Sequence, residues 1–357
     1  MTRPRLPTIA DIRAHAEHCS YNAKLCRFAC PVATATGRES VTPWGINRAI
    51  TAAAQDGAVT AATAAAVYGC TGCRSCGGVC LPGLDLPTHV RAARAEVVAA
   101  GLAPPGVEAG AGRACAPAPE LLAGAQPGAA TVVYPGCRSA GGAALAAVLA
   151  ALGHPYDVVA DATCCGARTV DVGHAERGLT EAAALGRHLE RAGTIVVADP
   201  HCARWLRIDH DDERVVPLAV FLADRLDGLA ARTTPAASRP VAWHDTCWLG
   251  RGMGVYNEPR AVLRAAGTPL VEPAHTRQHA RCAGGGMGYA ETDPAGAERI
   301  LAGCAAGLRG ALSGADGPVV TACPTATDRL RAAGLDAHDL AGWLASRLDD
   351  GEPVMSR

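Results

Sequence analysis

Four cysteines fall within the stretch YGCTGCRSCGGVC (68–80), at Cys70, Cys73, Cys76 and Cys80. The spacing C-x2-C-x2-C-x3-C is that of bacterial ferredoxins. There, three thiolates wrap one corner of an iron–sulfur cube and the fourth, close to a proline, ligates a neighbouring cluster. Here the fourth thiol is followed by Leu81-Pro82. The glycines and serine between the thiols leave room for backbone N–H groups to face sulfide. The competing reading, a zinc knot, uses two separated CxxC or Cys/His pairs, a pattern this stretch lacks.

A shared fourth thiol demands a second motif, and one lies upstream in CSYNAKLCRFACP (19–31). By exchange, Cys30 joins Cys70, Cys73 and Cys76 in one cluster, B. Cys80 joins Cys19 and Cys26 in the other, A. The remaining thiol of cluster A would stand at position 22, where the chain has Asn22. Either Asn22 supplies a weak oxygen ligand to a four-iron cluster, or cluster A is a three-iron form or one with a labile iron. Two [4Fe-4S] clusters are the expectation.

The remaining cysteines repeat with the texture of the chain. From residue 131, short β-rich runs alternate with helical ones, a pattern that predicts parallel α/β units. Strands are expected at 131–136, 156–160 and 194–199, and again at 241–245, 269–273 and 318–322. Each half opens with a strand running into cysteine (YPGC, HDTC). Each has a loop with cysteine before glycine (CCGA, CAGGG), and each ends in a Cys/Pro turn (DPHC, CPTA). The first copy holds Cys137, Cys164, Cys165 and Cys202; the second holds Cys247, Cys282 and Cys323. A complete unit would read C…CCG…CPxC, so Asp199, Ala283 and Ala326 stand where thiols are missing. Vicinal thiols strain a single tetrahedral ion but can ligate different irons of an open cluster. Ligands of open α/β sheets sit at the carboxyl ends of strands, where these loops fall. Cys115 reads as an unliganded thiol and Cys304 as core.

The elements that must position these residues fall into three blocks. Residues 1–102 read as helical, with Thr42-Pro43 as a helix start. Residues 103–130 are Pro/Gly/Ala-rich and read as a linker. Two α/β units follow at 131–231 and 241–347, joined by a shorter linker at 232–240. The chain has 357 residues, a net charge of −1 and a hydrophobic fraction of 49%, which argues against nucleic acid or an anionic membrane as partner. No apolar run approaches the roughly 20 residues that span a bilayer, and no signal peptide is evident. Sixteen cysteines in a soluble, cytoplasmic chain then point to metal or redox chemistry rather than disulfides.

These residues together resemble the cysteine-rich CCG-domain family. That family includes catalytic subunits of heterodisulfide reductase and iron–sulfur subunits of glycolate oxidase, lactate-utilisation and anaerobic glycerol-3-phosphate dehydrogenase systems. The resemblance rests on Cys70–Cys80, CRFACP (26–31), CCG (164–166), HDTCWLGRGMGVYNEPRAVLRA (244–265) and RCAGGGMG (281–288). It implies an α+β multidomain fold: an all-helical two-cluster ferredoxin domain, then two α/β CCG domains. It also implies a third cluster on a complete cysteine set. Four thiolates of the first copy, or a mixed set across the two copies, would have to hold it here.

Three functions follow from these residues. The first is an electron-transfer subunit between a flavin-dependent dehydrogenase partner, acting on a 2-hydroxyacid or similar substrate, and a quinone or other carrier. Membrane association would then be peripheral, through a partner. The second is a disulfide or thiol-persulfide reductase working at the third cluster, with His201, His244 or Asp245 as proton donors. The third is a metal-stabilised scaffold without redox chemistry. The first is the expected one.

Overall fold

The computed structural model describes residues 6–138, 142–234, 239–313 and 317–349. Part of the expected 232–240 linker (235–238) and the expected helix start at 139–141 lie outside them. The amino-terminal region is helical. Its longest helices are Ile9–Cys19, Pro43–Asp56 and Leu86–Ala99. Thr42 caps the second of these, its side chain accepting from the Gly45 N–H, with Pro43 in the first turn. Both choices satisfy or remove donors that a helix start leaves unpaired. Ile12, Ala16, Ile46, Ile50, Val90 and Val97 form the core of this region.

Two four-stranded sheets follow. The first contains β1 (Thr131–Tyr134), β2 (Asp157–Val158), β3 (Thr194–Val197) and β4 (Val215–Pro217). The second contains β5 (Val241–His244), β6 (Leu270–Val271), β7 (Val319–Thr321) and β8 (Ala337–Asp339). The orders are β2-β1-β3-β4 and β6-β5-β7-β8, every pairing parallel. The two units therefore share one topology, as the repeat predicts. β4 and β8 were not among the expected strands; each is a three-residue edge strand. The segment between the helical region and β1 carries two short helical turns, Val107–Gly110 and Pro119–Ala123.

The two units share a core. Val133, Leu149 and Phe221 of the first unit pack in one cluster with Trp243, Leu263 and Trp343 of the second. The fully buried Arg94 ties all three regions together. Its guanidinium donates to the carbonyls of Val67, Cys70, Asp171 and Met287. Four carbonyl partners satisfy a cation that would otherwise be costly to bury. A second buried tie joins Arg91 to Asp171 at 2.6 Å, and Asp171 to His201 at 2.9 Å. Although burial opposes ionisation, Arg91 and His201 hold the Asp171 carboxyl far below the usual range.

Candidate functional site

In the helical region the cysteines fall into two adjacent groups. Cys19, Cys26 and Cys80 face one another across a small cavity that Asn22, Trp44 and Leu81 also line. The Asn22 amide donates to the His18 carbonyl at 2.8 Å. That bond uses the amide nitrogen, so a metal ligand from this side chain would be its oxygen. Cys30, Cys70, Cys73 and Cys76 line a second small cavity. Cys76 senses both groups electrostatically, including Cys26, so the two cavities are neighbours. Burial pushes the Cys30 thiol up to about 12 and the Cys70 thiol up to about 11. Thiols so placed lose their protons only to a cation, which is what a metal centre provides. A sharp backbone supports the inner group: Gly72 has φ +64°, and a Cβ there would meet Met287 Sδ at 2.5 Å. Its N–H points at Cys70 Sγ, 3.3 Å away.

In the first α/β unit, Cys137, Cys164, Cys165 and Cys202 close a ring at the carboxyl ends of β1, β2 and β3. Cys137 interacts with Cys164 and Cys202, and Cys165 with the same two. Cys165 Sγ lies 3.2 Å from Cys202 Sγ. Hydrogen bonds around the ring hold Cys137 and Cys165 low and keep Cys164 and Cys202 protonated. Gly166 fixes the vicinal pair. It has φ +81°, and a Cβ there would lie 1.9 Å from the Gly178 carbonyl oxygen. The Trp205 indole donates to the Cys165 carbonyl at 2.7 Å from a short π-helical turn (Trp205–Asp209) that follows Cys202. The Tyr134 hydroxyl is buried with no hydrogen-bond partner and sits close to all four thiols. An orphaned donor beside four converging thiols suits an anionic sulfur-bearing group inside the ring.

The second unit is built alike and arranged differently. Gly284 repeats Gly166, with φ +80° and an N–H pointing at Cys282 Sγ, 3.2 Å away. The corresponding bond from Gly166 to Cys164 Sγ is 3.4 Å. Cys282 thus matches Cys164, and Ala283 replaces the second vicinal thiol. Instead of closing a ring, Cys282 turns to the helical region, its Sγ 3.7 Å from Thr71 Oγ1 and beside Cys73, with Cys247 close to both. Arg251 supports this junction by donating to the Cys73 carbonyl at 2.6 Å. Cys323 faces Asp199 and Cys247. A small cavity opens beside these thiols, lined also by Arg168, His201, His244, Arg281, Ala283 and Ala326. The first unit's four thiols thus adjoin one another, whereas Cys282 and Cys247 adjoin Cys73 and Cys323 faces Asp199. Among the described residues, no three or more His, Cys, Asp or Glu side chains are arranged for a single metal ion.

The expected proton donors are tied into the scaffold. Asp245 accepts from Arg260, Trp243, Thr276 and the Arg277 N–H. Burial works against its charge, yet the Arg260 contact keeps it below the usual carboxylate range. An ionised carboxylate has no proton to give, which argues against that role. Burial likewise lowers His244, whose ring nitrogens contact Thr321 Oγ1 and the Arg281 carbonyl. His201 stacks on Trp248 at 4.2 Å and reaches Asp171. It is the one candidate of the three that both lines the cavity and faces a carboxylate. Cys304 is buried core, as expected of it. Tyr134 escaped the sequence reading, which gives Cys115 only as an unliganded thiol in the linker. Cys115 pairs with Thr163 in an isolated bridge beside Cys164, and no local pattern announces it.

The CCG cysteine-rich domain model matches residues 131–207 and 241–327. The chain carries two CCG cysteine-rich domains. Residues 131–207 contain the closed thiol ring and 241–327 the open one, so the family's cysteine loops are what the two sheets position. Three curated relatives share parts of the chain. A probable membrane-anchored ferredoxin of Chromohalobacter salexigens is 32% identical over 180 residues, covering 46% of this chain and 26% of that protein. A component of the fumarate reductase (CoM/CoB) of Methanothermobacter marburgensis is 31% identical over 163 residues, 44% of this chain and 32% of that protein. A component of the dihydromethanophenazine:CoB–CoM heterodisulfide reductase of Methanosarcina barkeri is 28% identical over 258 residues, 62% of each. The chain thus spans between about a quarter and three fifths of these relatives' lengths. No solved structure matches it. No helix among the described residues is long and apolar enough to cross a membrane.

Proposed function

We propose that the chain is an iron–sulfur electron-transfer subunit. Cys30, Cys70, Cys73 and Cys76 would hold cluster B, and Cys19, Cys26 and Cys80, with the Asn22 oxygen, cluster A. Cys137, Cys164, Cys165 and Cys202 would hold a third centre. Such clusters supply one-electron carriers whose potentials follow from charge, burial and hydrogen bonds to sulfur. The protein's own contribution is to place and insulate them. Arg94 and Arg251 fix the carbonyls of Cys70 and Cys73. Cys30, Cys70 and Cys73 of the inner group are buried, while Leu25 and Leu81 line the outer cavity and stand exposed. This supports entry of electrons from a partner, for which we propose a flavin-dependent dehydrogenase, at cluster A. Exit to a quinone or another carrier would follow.

One observation carries the reading: the outer thiol group adjoins the inner, and the inner touches Cys282 of the second unit. These contacts form a series from the half-buried Cys26 and Cys80 of the outer group to the buried Cys282 of the second α/β unit. The test is anaerobic reduction of the reconstituted chain, followed by reoxidation with a quinone analogue or an artificial acceptor. Reoxidation of a sulfide-dependent chromophore is the expected result. A colourless chain containing zinc and no sulfide would leave only a scaffold.

A second reading has its own support. The cavity beside Cys247, Cys282 and Cys323 is flanked by Arg168, Arg281 and His201, a setting suited to an anionic thiol or disulfide with His201 as proton donor. Release of thiol from a small disulfide by the reduced chain would favour this reductase over the electron-transfer subunit.

A further inference from the structure

We propose that Cys115, from the segment between the helical region and β1, is a fifth thiol ligand of the first unit's centre, replacing the thiol that position 199 lacks. The proposal rests on the reading that this unit holds an iron–sulfur centre. In the second unit the equivalent position is Cys323, whose side chain makes no capping bond. In the first, the Asp199 carboxylate accepts from the His201 N–H at 2.8 Å and caps the helix Pro200–Arg204. That use of the carboxylate leaves the ring one sulfur short of C…CCG…CPxC.

The missing sulfur is present, delivered from another direction. Cys115 pairs with Thr163 in an antiparallel bridge, its N–H donating to the Thr163 carbonyl at 3.3 Å. That places it beside the vicinal pair 164–165. Its sulfur lies 3.6 Å from the Gly136 carbonyl, next to Cys137. The approach of this segment is tight. A Cβ on Gly112 would lie 2.6 Å from Cys164 Sγ, and the Gly112 N–H donates to Thr169 Oγ1 at 3.1 Å. Two buried hydroxyls here have no partner, Tyr134 inside the ring and Thr163 across from Cys115. Both are available to a group bound between the ring and Cys115. On binding, the Cys115 thiol releases its proton and becomes a thiolate ligand.

The test uses the full chain, reconstituted anaerobically with iron and sulfide, as Cys115→Ala, Cys115→Ser, Cys164→Ala and Cys304→Ala. Mössbauer and EPR spectra are read with iron and sulfide content, and circular dichroism checks folding. Cys115→Ala is expected to alter or remove the same spectral component as Cys164→Ala while leaving the helical-region signals in place. Cys304→Ala should match the unaltered chain. In a parallel measurement, Cys115 should resist alkylation in the loaded chain and react once the metal is chelated. Loss of the component in Cys164→Ala but an unchanged spectrum in Cys115→Ala, with Cys115 alkylated equally in both states, would overturn the proposal alone. No change in either variant would overturn the reading of a centre in the first unit as well.

Discussion

The two α/β units share strand order, parallel pairing and a positive-φ glycine behind the first cysteine of the central loop, yet their thiols do different things. In the first unit they turn inward and close on one another around an orphaned tyrosine hydroxyl. In the second, Cys282 turns outward to Cys73 of the helical region, and alanines at 283 and 326 leave a cavity. One backbone plan therefore supports two outcomes, decided by a handful of side chains. A loop that positions sulfur at a strand end can enclose a centre, or it can connect one centre to the next. Position 199 shows how small the switch is: a carboxylate there caps a helix, whereas the thiol at 323 makes no such bond.

The largest expected effect comes from exchanging the matched cysteines. Cys164→Ala should abolish the first unit's iron–sulfur signature. Cys282→Ala should leave that signature intact and shift the helical-region signals instead, because its sulfur meets Cys73. Reversal of these outcomes in EPR would break the comparison.

Next comes the tie that holds the first unit to the helical region. Asp171→Asn leaves Arg91 buried beside a neutral amide, and removing one partner of a buried ion pair destabilises by about 3–5 kcal/mol. Chemical denaturation should report a loss of that size. A change under about 1 kcal/mol would mean the tie is worth no more than an exposed pair.

A pH titration sharpens the contrast between the helical region and both units. Burial holds His89 down to about 4, with Nδ1 2.8 Å from the Asn47 oxygen. The folded chain thus keeps it neutral where the unfolded chain takes up a proton. Stability from this group is complete above about pH 6.5 and declines as pH falls towards 4, by up to roughly 3 kcal/mol. Denaturation midpoints of the metal-free chain across that window should show the decline, and His89→Gln should flatten it.

The smallest effect concerns the tyrosine that distinguishes the closed ring. If Tyr134 donates to the bound centre, Tyr134→Phe removes a hydrogen bond of roughly 1 kcal/mol. That corresponds to a potential about 40 mV more negative for a one-electron couple. The helical-region potentials should not move in the same redox titration.

Much of this contrast was readable in the sequence. The ferredoxin spacing, the doubling of the cysteine loops and the losses at 199, 283 and 326 are local patterns, and local patterns survive in a string of letters. The edge strands Val215–Pro217 and Ala337–Asp339 were missed because three residues carry no periodicity to detect. Arg94 and Asp171 belong to no sequence motif. Their importance comes from partners far away in the chain, such as Met287 for Arg94. Cys115 sat in a Pro/Gly-rich stretch with no motif, and only the bridge to Thr163 brings it to the ring. The direction in which Cys282 points was equally invisible, since it depends on how the helical region docks.

The central claim is that the helical region and the first unit hold iron–sulfur centres while the second unit does not. Mössbauer spectroscopy of the anaerobically reconstituted chain, with iron and acid-labile sulfide counted per chain, tests it most directly. The account predicts about eight irons in cubane-type signals, or seven if Asn22 fails as a ligand, plus a separate component that Cys164→Ala removes and Cys323→Ala does not. Iron confined to the cubane signals, or a component lost with Cys323 instead of Cys164, would contradict it.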